Sequence, residues 1–233
     1  MKKSILRVLV LVLTMVFVFV GCSKESKPDE KKQESQKPTV SFTTKEEING
    51  NVKIKYPQIE NQKAENISDI NTSIKFFIKD RLNEFCNENK DVSADIDFKV
   101  TVINDKRMSI LFTGVVTLPD KDPQNFIHGI TVGFDKGRLL TIADVTLFDD
   151  EFPKTVKAGK VTTISGEGVE EAQAALKALD DMSIIDGIRM NRGTYSFHLT
   201  ENSILVSFPV SEELGGYAFS EIELQKDFEL VPS

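Results

Sequence analysis

The hydrophobic period of this chain changes abruptly near residue 90, and that change limits the folds open to it. In NISDINTSIKFFIKDRLNEFCNENK the apolar side chains are Ile67, Ile70, Ile74, Phe77, Ile78, Leu82, Phe85 and Cys86. Their i, i+3, i+4, i+7 spacing puts them on one face of a long helix, with Cys86 as a small core hydrophobe beside Leu82 and Phe85. The period then becomes two: DIDFKVTVI sets Ile96, Phe98, Val100 and Val102 on one side of a strand. NDKR (104–107) reads as a turn, and MSILFTGVVTL brings the chain back as the second arm of an antiparallel hairpin with a polar outer face.

The remaining elements extend that plan. VSFTTKEEINGNVKIKYPQI (40–59) alternates like one strand and stops at Pro57. NFIHGITVGFDKGRLLTIADVTLF gives a third strand after the helix, a turn at Asp135-Lys136-Gly137, and a fourth strand running into a short helical or turn segment. In that third strand Phe126, His128, Ile130, Val132 and Phe134 share one parity, and Ile127, Gly129, Thr131 and Gly133 the other. Two glycines on one face leave bare backbone that something can approach closely. Residues 149–192 are hard to read apart from a helix in SGEGVEEAQAALKALDD, where Glu170 and Glu171 suit the positive N-terminal end. TYSFHLT, SILVSFPV and YAFSEIEL close the chain as strands, with a turn at Glu201-Asn202 and EELGG between the last two. His198 has the parity opposite to Phe197 and Leu199 and is expected to face solvent or a second layer. Strand, helix, four strands, helix, three strands describe an α+β domain: an antiparallel sheet with helices packed on one face.

The N-terminus carries an address. Lys2, Lys3 and Arg7 precede an apolar run, Val8 to Val20, broken only by Thr14. The run is short of the roughly 20 apolar residues that span a bilayer, and its length suits a secretory signal peptide. It ends at Phe19-Val20-Gly21-Cys22, which resembles the lipobox of bacterial lipoproteins. On that resemblance residues 1–21 are the signal peptide, and Cys22 becomes the lipidated N-terminus, carrying acyl groups of the palmitate kind. Residues 22–44 then form a lipidated, disordered tether of Lys, Glu, Gln, Ser and Pro, spanning roughly 25 Å. Residues 45–233 are left as a single α+β domain. The expected location is the extracytoplasmic face of a cell membrane, with membrane contact through the lipid anchor alone.

Charge and cysteine count narrow the function further. Removal of the three basic residues with the signal peptide takes the formal charge from −7 to about −10, which argues against nucleic acid and allows a cationic partner. With Cys22 lipidated, Cys86 has no disulfide partner, so the core must hold the domain together. No H-E-x-x-H, C-x-x-C, G-x-S-x-G or Walker-type motif occurs in the chain. The expectation is no enzyme, no catalytic residue, no metal and no cofactor. Adjacent acids such as Asp149-Asp150-Glu151, Asp180-Asp181 and Glu212-Glu213 read as solvated turns.

The order of several short motifs resembles a known family. YPQI (56–59), DINTSI (69–74), HGI followed by FDKGRLLTIADVTLF, and YSFHLTENSILVSFPVSEELGGYAFSEIEL together are similar to paired DUF4163/DUF3298-type domains of unknown function. These occur in the extracellular part of lysozyme-responsive anti-sigma factors and at the N-terminus of peptidoglycan or polysaccharide deacetylases. Tyr56 and Pro57 match the opening, Ile70 and Asn71 the helix start, and His128 and Gly129 a His-Gly step. Gly137, Leu140, Asp144 and Phe148 match a hairpin and its exit, and Gly216 and Tyr217 the last loop. DPQNFI departs from the Gly- and Ala-rich turn of the pattern, and residues 149–192 match poorly. Seven residues precede the apolar run and the sequence stops at Ser233, so the expectation is the binding module alone, without a cytoplasmic or catalytic domain.

What the resemblance and the acidic charge imply is a surface-anchored, non-catalytic binding module for a cationic exported protein, lysozyme-like, or for a cell-wall glycan. The alternative is a structural or accessory envelope lipoprotein with no small ligand. The expected binding surface joins the His128-Gly129 end of the third strand to the Gly215-Gly216-Tyr217 loop. Two glycines bare that strand, and loops and tyrosines are favoured at interfaces.

Overall fold

The 3.6-residue and two-residue periods both appear as expected, but the strands divide into two sheets. The computed structural model describes residues 40–60, 66–86, 89, 91–191 and 193–224. Cys22, the apolar run and residues 23–39 of the expected tether lie outside the described residues, whereas Ser41–Thr44, expected to belong to that tether, are strand because they pair with residues 57–60. Strands β1 (Ser41–Asn49) and β2 (Val52–Glu60) come first, followed by helix α1 (Ile67–Cys86). Next are β3 (Ser93–Ile103), β4 (Arg107–Thr117), β5 (Gln124–Gly133) and the two-residue β6 (Arg138–Leu139). These six strands form one sheet in sequential order. Every pair in it is antiparallel except β2–β3, which run parallel over Val52–Ile54 and Ala94–Ile96 because α1 carries the chain back between them.

The stretch 40–59 is thus a hairpin rather than one strand ending at Pro57. Asn49-Gly50-Asn51 turns the chain, with Gly50 at φ +58°, and Pro57 sits inside β2 opposite Thr44. Proline is tolerated there because pairing with β3 stops at Ile54, so no strand on that side requires its missing N–H.

Residues 149–192 resolve into four short elements: α2 (Phe152–Ala158), β7 (Lys160–Thr163), α3 (Val169–Ala178) and α4 (Asp181–Met190). With β8 (Ser196–Leu199), β9 (Ser203–Pro209) and β10 (Tyr217–Glu223), strand β7 builds a second, antiparallel sheet in the order β7-β10-β9-β8. Asp180 caps α4, accepting from Ser183 N at 3.0 Å.

Each sheet buries one face under helices, which makes the architecture α+β. Ile70, Ile74, Ile78 and Leu82 of α1 press on Ile96, Ile110, Phe112, Phe126 and Val132. Cys86 is buried in this core, and burial pushes its thiol pKa up. Val156, Ala172, Leu176, Ile184 and Ile188 of α2–α4 cover Phe197, Leu199, Ile204, Val206, Phe208 and Ala218. Each such Leu, Ile or Phe contributes about 1.5–3 kcal/mol by leaving water.

The other face of the second sheet meets the other face of the first. Strand β8 lies across β5 and β4, so all four of its residues are buried. A serine network joins the two layers. Gly129 N donates to Ser196 Oγ at 2.9 Å and Leu199 N to Ser109 Oγ at 2.8 Å. Ser196 and Ser207 hydroxyls lie 2.8 Å apart, and Ser109 reaches Thr131 at 2.9 Å. Every buried hydroxyl here has a partner, which makes a polar layer between sheets tolerable.

Candidate functional site

The surface expected from the sequence is not assembled as a surface. His128 is 1% exposed, held between Phe77 of α1 (ring centroids 5.1 Å) and Phe126 (6.4 Å). Its Nε2 donates to Asn191 Oδ1 at 3.1 Å. Asn191 is the left-handed residue, φ +50°, that ends α4, and its carbonyl accepts from Arg81 at 2.8 Å. Burial, reinforced by the Arg81 charge, lowers the His128 pKa to about 4, so the ring is neutral. What approaches the bare backbone of Gly129 is the protein itself: a Cβ there would stand 2.6 Å from the Phe197 carbonyl oxygen. Tyr217 is 4% exposed against Phe219, and burial raises its hydroxyl pKa to about 12. His198 faces the second layer rather than solvent; it is 4% exposed, packs edge-on against Phe219 at 5.4 Å, and is held near pKa 4 by burial with Lys99 nearby.

Strand parity separates two faces but does not say whether both are covered. In β5 the even-numbered residues meet α1 and the odd-numbered ones meet β8. The correction is therefore physical: His128, Gly129 and Tyr217 are withdrawn by packing between layers. Gly215 and Gly216 remain half-exposed, at φ +94° and +84°, in the turn from the 3-10 segment Glu212–Leu214 into β10.

That turn belongs to a different cluster. Leu214 touches Gly168, the residue before α3, and Ile164 lies against Gly215. Asn125 Nδ2 donates to the Gly215 carbonyl at 3.3 Å, and Gln124 Nε2 to Glu212 Oε1 at 3.1 Å. The Gly168–Leu214 contact brings two acidic segments together, Glu167-Gly168-Val169-Glu170-Glu171 and Glu212-Glu213. Five carboxylates share this corner with two apolar side chains left in water, Ile164 (46% exposed) and Val169 (38%). The acids were visible in the sequence as separate pairs, but only the fold makes them neighbours.

The corner can attract a cation-bearing surface and offer it apolar contact. Among the described residues no group of three or more His, Cys, Asp or Glu side chains is arranged to hold a metal ion. No helix among the described residues is long and apolar enough to cross a membrane.

No family model matches the chain, and no curated protein matches it. Solved structures similar to it include two DUF3298 family proteins. One is a DUF3298 family protein from Pseudomonas aeruginosa PAO1, with TM-score 0.42 and 9% identity, covering 79% of this chain and 89% of that one. The other is a DUF3298 family member from Bacteroides fragilis NCTC 9343, with TM-score 0.43 and 9% identity, covering 80% of this chain and 92% of that one.

Proposed function

We propose that the chain is a non-catalytic binding module, lipid-anchored through Cys22 on the extracytoplasmic face of a membrane, that engages a cationic exported protein. The observation that carries this reading is the acidic corner, where Ile164 and Val169 are exposed among Glu167, Glu170, Glu171, Glu212 and Glu213. Charged groups around a small apolar centre are a common interface arrangement: the charges steer encounter and the apolar centre supplies contact. Burial supports the non-catalytic part. Both histidines of the chain are enclosed and neutral, and the Cys86 thiol is buried.

The test uses the full chain in detergent, immobilised, with a lysozyme as the basic probe protein. Binding is expected, and it is expected to weaken as salt shortens the screening length below about 10 Å. Glu170→Lys with Glu213→Lys should weaken it by about tenfold or more, equivalent to about 1.4 kcal/mol. Charge reversal on exposed Glu60 should not. Binding that ignores the corner variants places the contact elsewhere, and no binding at any salt removes the basic-protein reading.

A further inference from the structure

A second surface, independent of the acidic corner, lies on β1. This strand is the outer edge of the six-stranded sheet, and every residue in it except Glu47 is exposed. Among the described residues no strand pairs with its outer side. Backbone groups alternate along an antiparallel strand, so every second N–H and C=O of β1 points away from β2.

The side chains of β1 are arranged symmetrically. Its two large apolar residues, Phe42 (36% exposed) and Ile48 (67%), share one parity and stand at equal distance on either side of Lys45. The Phe42 ring leans edge-on against Phe98 at 6.1 Å, while Ile48 projects from the sheet. We propose that β1 pairs antiparallel with β1 of a second copy of this chain about a two-fold axis at Lys45, joining the two sheets edge to edge.

In this register each Phe42 lies opposite Ile48 of the partner subunit, and Thr44 opposite Glu46 of the partner subunit. Both apolar side chains thereby lose water against each other, the cross-strand pairing that stabilises sheets. Lys45 faces its own copy, a like-charge contact that weakens the pair, and Glu47 on the diagonal is already held by Lys75 and Lys79 of its own helix α1. The neighbouring symmetric registers are worse. An axis at Glu46 also sets a charge against itself and, unlike the Lys45 axis, leaves Phe42 without a partner within β1, and an axis at Thr44 sets Phe42 against Glu46. The paired length is nine residues, about 30 Å at the rise of a strand. Edge pairing alone buries less than the roughly 1,200 Å² of a stable complex, so the dimer is a weak and reversible one.

The axis supplies its own test, because a cysteine at Lys45 would face its copy across a close pair. Lys45→Cys, Thr43→Cys and Lys177→Cys are each made in the full chain carrying Cys22→Ser, so the only other thiol is the buried Cys86. The proteins are oxidised in detergent with copper phenanthroline and separated on non-reducing gels. Lys45→Cys should give about tenfold more disulfide dimer than either control, given the distance a disulfide demands. Adding the exposed substitution Ile48→Glu should reduce that yield severalfold. Equal cross-linking at all three positions overturns the pairing, and a yield unmoved by Ile48→Glu overturns the register.

Discussion

His128 of β5 is tied to Asn191, the cap of α4, by a 3.1 Å hydrogen bond, so one buried ring links the first core to the helices of the second. The energetic consequence is a dependence on pH. Both His128 and His198 have folded pKa values near 4, against an ordinary 6.5. The unfolded chain therefore binds more protons than the folded one between those limits. Stability from this source is complete above about pH 6.5 and is lost as pH falls toward 4, up to about 3 kcal/mol per histidine. Urea melts from pH 7 to 4 should show the loss. His128→Gln, which retains an N–H donor for Asn191, should lower the slope by about 1.4 kcal/mol per pH unit, one proton's worth. An unchanged slope would mean that His128 is not buried neutral.

Asp144 should be the costliest carboxylate to neutralise. It is 8% exposed, and Arg138 grips both of its oxygens at 2.8 and 2.9 Å. Lys136 adds a contact at 3.1 Å, and Thr141 donates both its N–H and its hydroxyl at 2.8 Å. These donors, led by Arg138, hold the carboxyl well below the usual carboxylate range. Its contribution is present above the ordinary pKa of 3.8 and is lost as pH falls below that. Asp144→Asn should cost about 2 kcal/mol at pH 7, because a nearly buried acceptor loses its charge while its donors remain. A denaturant midpoint shifted by less than a quarter of that would show that Arg138, half in water, contributes little.

Helix α1 offers a graded test of its buried face. Ile74 is fully enclosed, Phe77 is half-buried against His128, and Phe76 is 69% exposed. Ile74→Ala should cost about 3 kcal/mol, Phe77→Ala about 1–2, and Phe76→Ala less than about 0.5. Equal losses at Ile74 and Phe76 in the same melts would contradict the orientation of the helix.

The parts of the fold that were legible are those where one period persists. Ile70, Ile74 and Ile78 announce α1, and Ile96 through Phe134 announce three strands and their turns. Within residues 149–192 the helix expected in SGEGVEEAQAALKALDD is present as α3, but α2, β7 and α4 were not legible, because elements of four to ten residues are too short for a period to repeat. β7 has four residues, and Gly187 in α4 passes against the Tyr195 ring, a packing reason for glycine that weakens the helical signal. The division into two sheets was hidden for another reason. Nothing local to Phe197 or His198 says that helices take one side of β8 and another sheet takes the other. The burial of His128, Gly129 and Tyr217 and the acidic corner were hidden on the same ground: Gly168 touching Leu214 is a tertiary fact, and it decides which acids are neighbours.

Gly129 distinguishes an internal junction from a binding surface. A Cβ added there would meet the Phe197 carbonyl oxygen at 2.6 Å, its carbon at 2.7 Å and His198 Cβ at 3.0 Å. Two of these atoms are backbone of β8, which cannot turn aside as a flexible side chain can. The same glycine donates its N–H to Ser196 Oγ at 2.9 Å, so pushing β8 away also strains the serine network. Gly129→Ala should therefore cost about 3 kcal/mol, the upper end for an overpacked core, although its φ is one that alanine adopts freely. Thr113→Ala on the exposed part of β4 should stay within about 0.5 kcal/mol. Thermal and urea melts of the two variants provide the comparison. If Gly129→Ala is as mild as Thr113→Ala, β8 does not press on β5, and the backbone of Gly129 is open to a ligand after all.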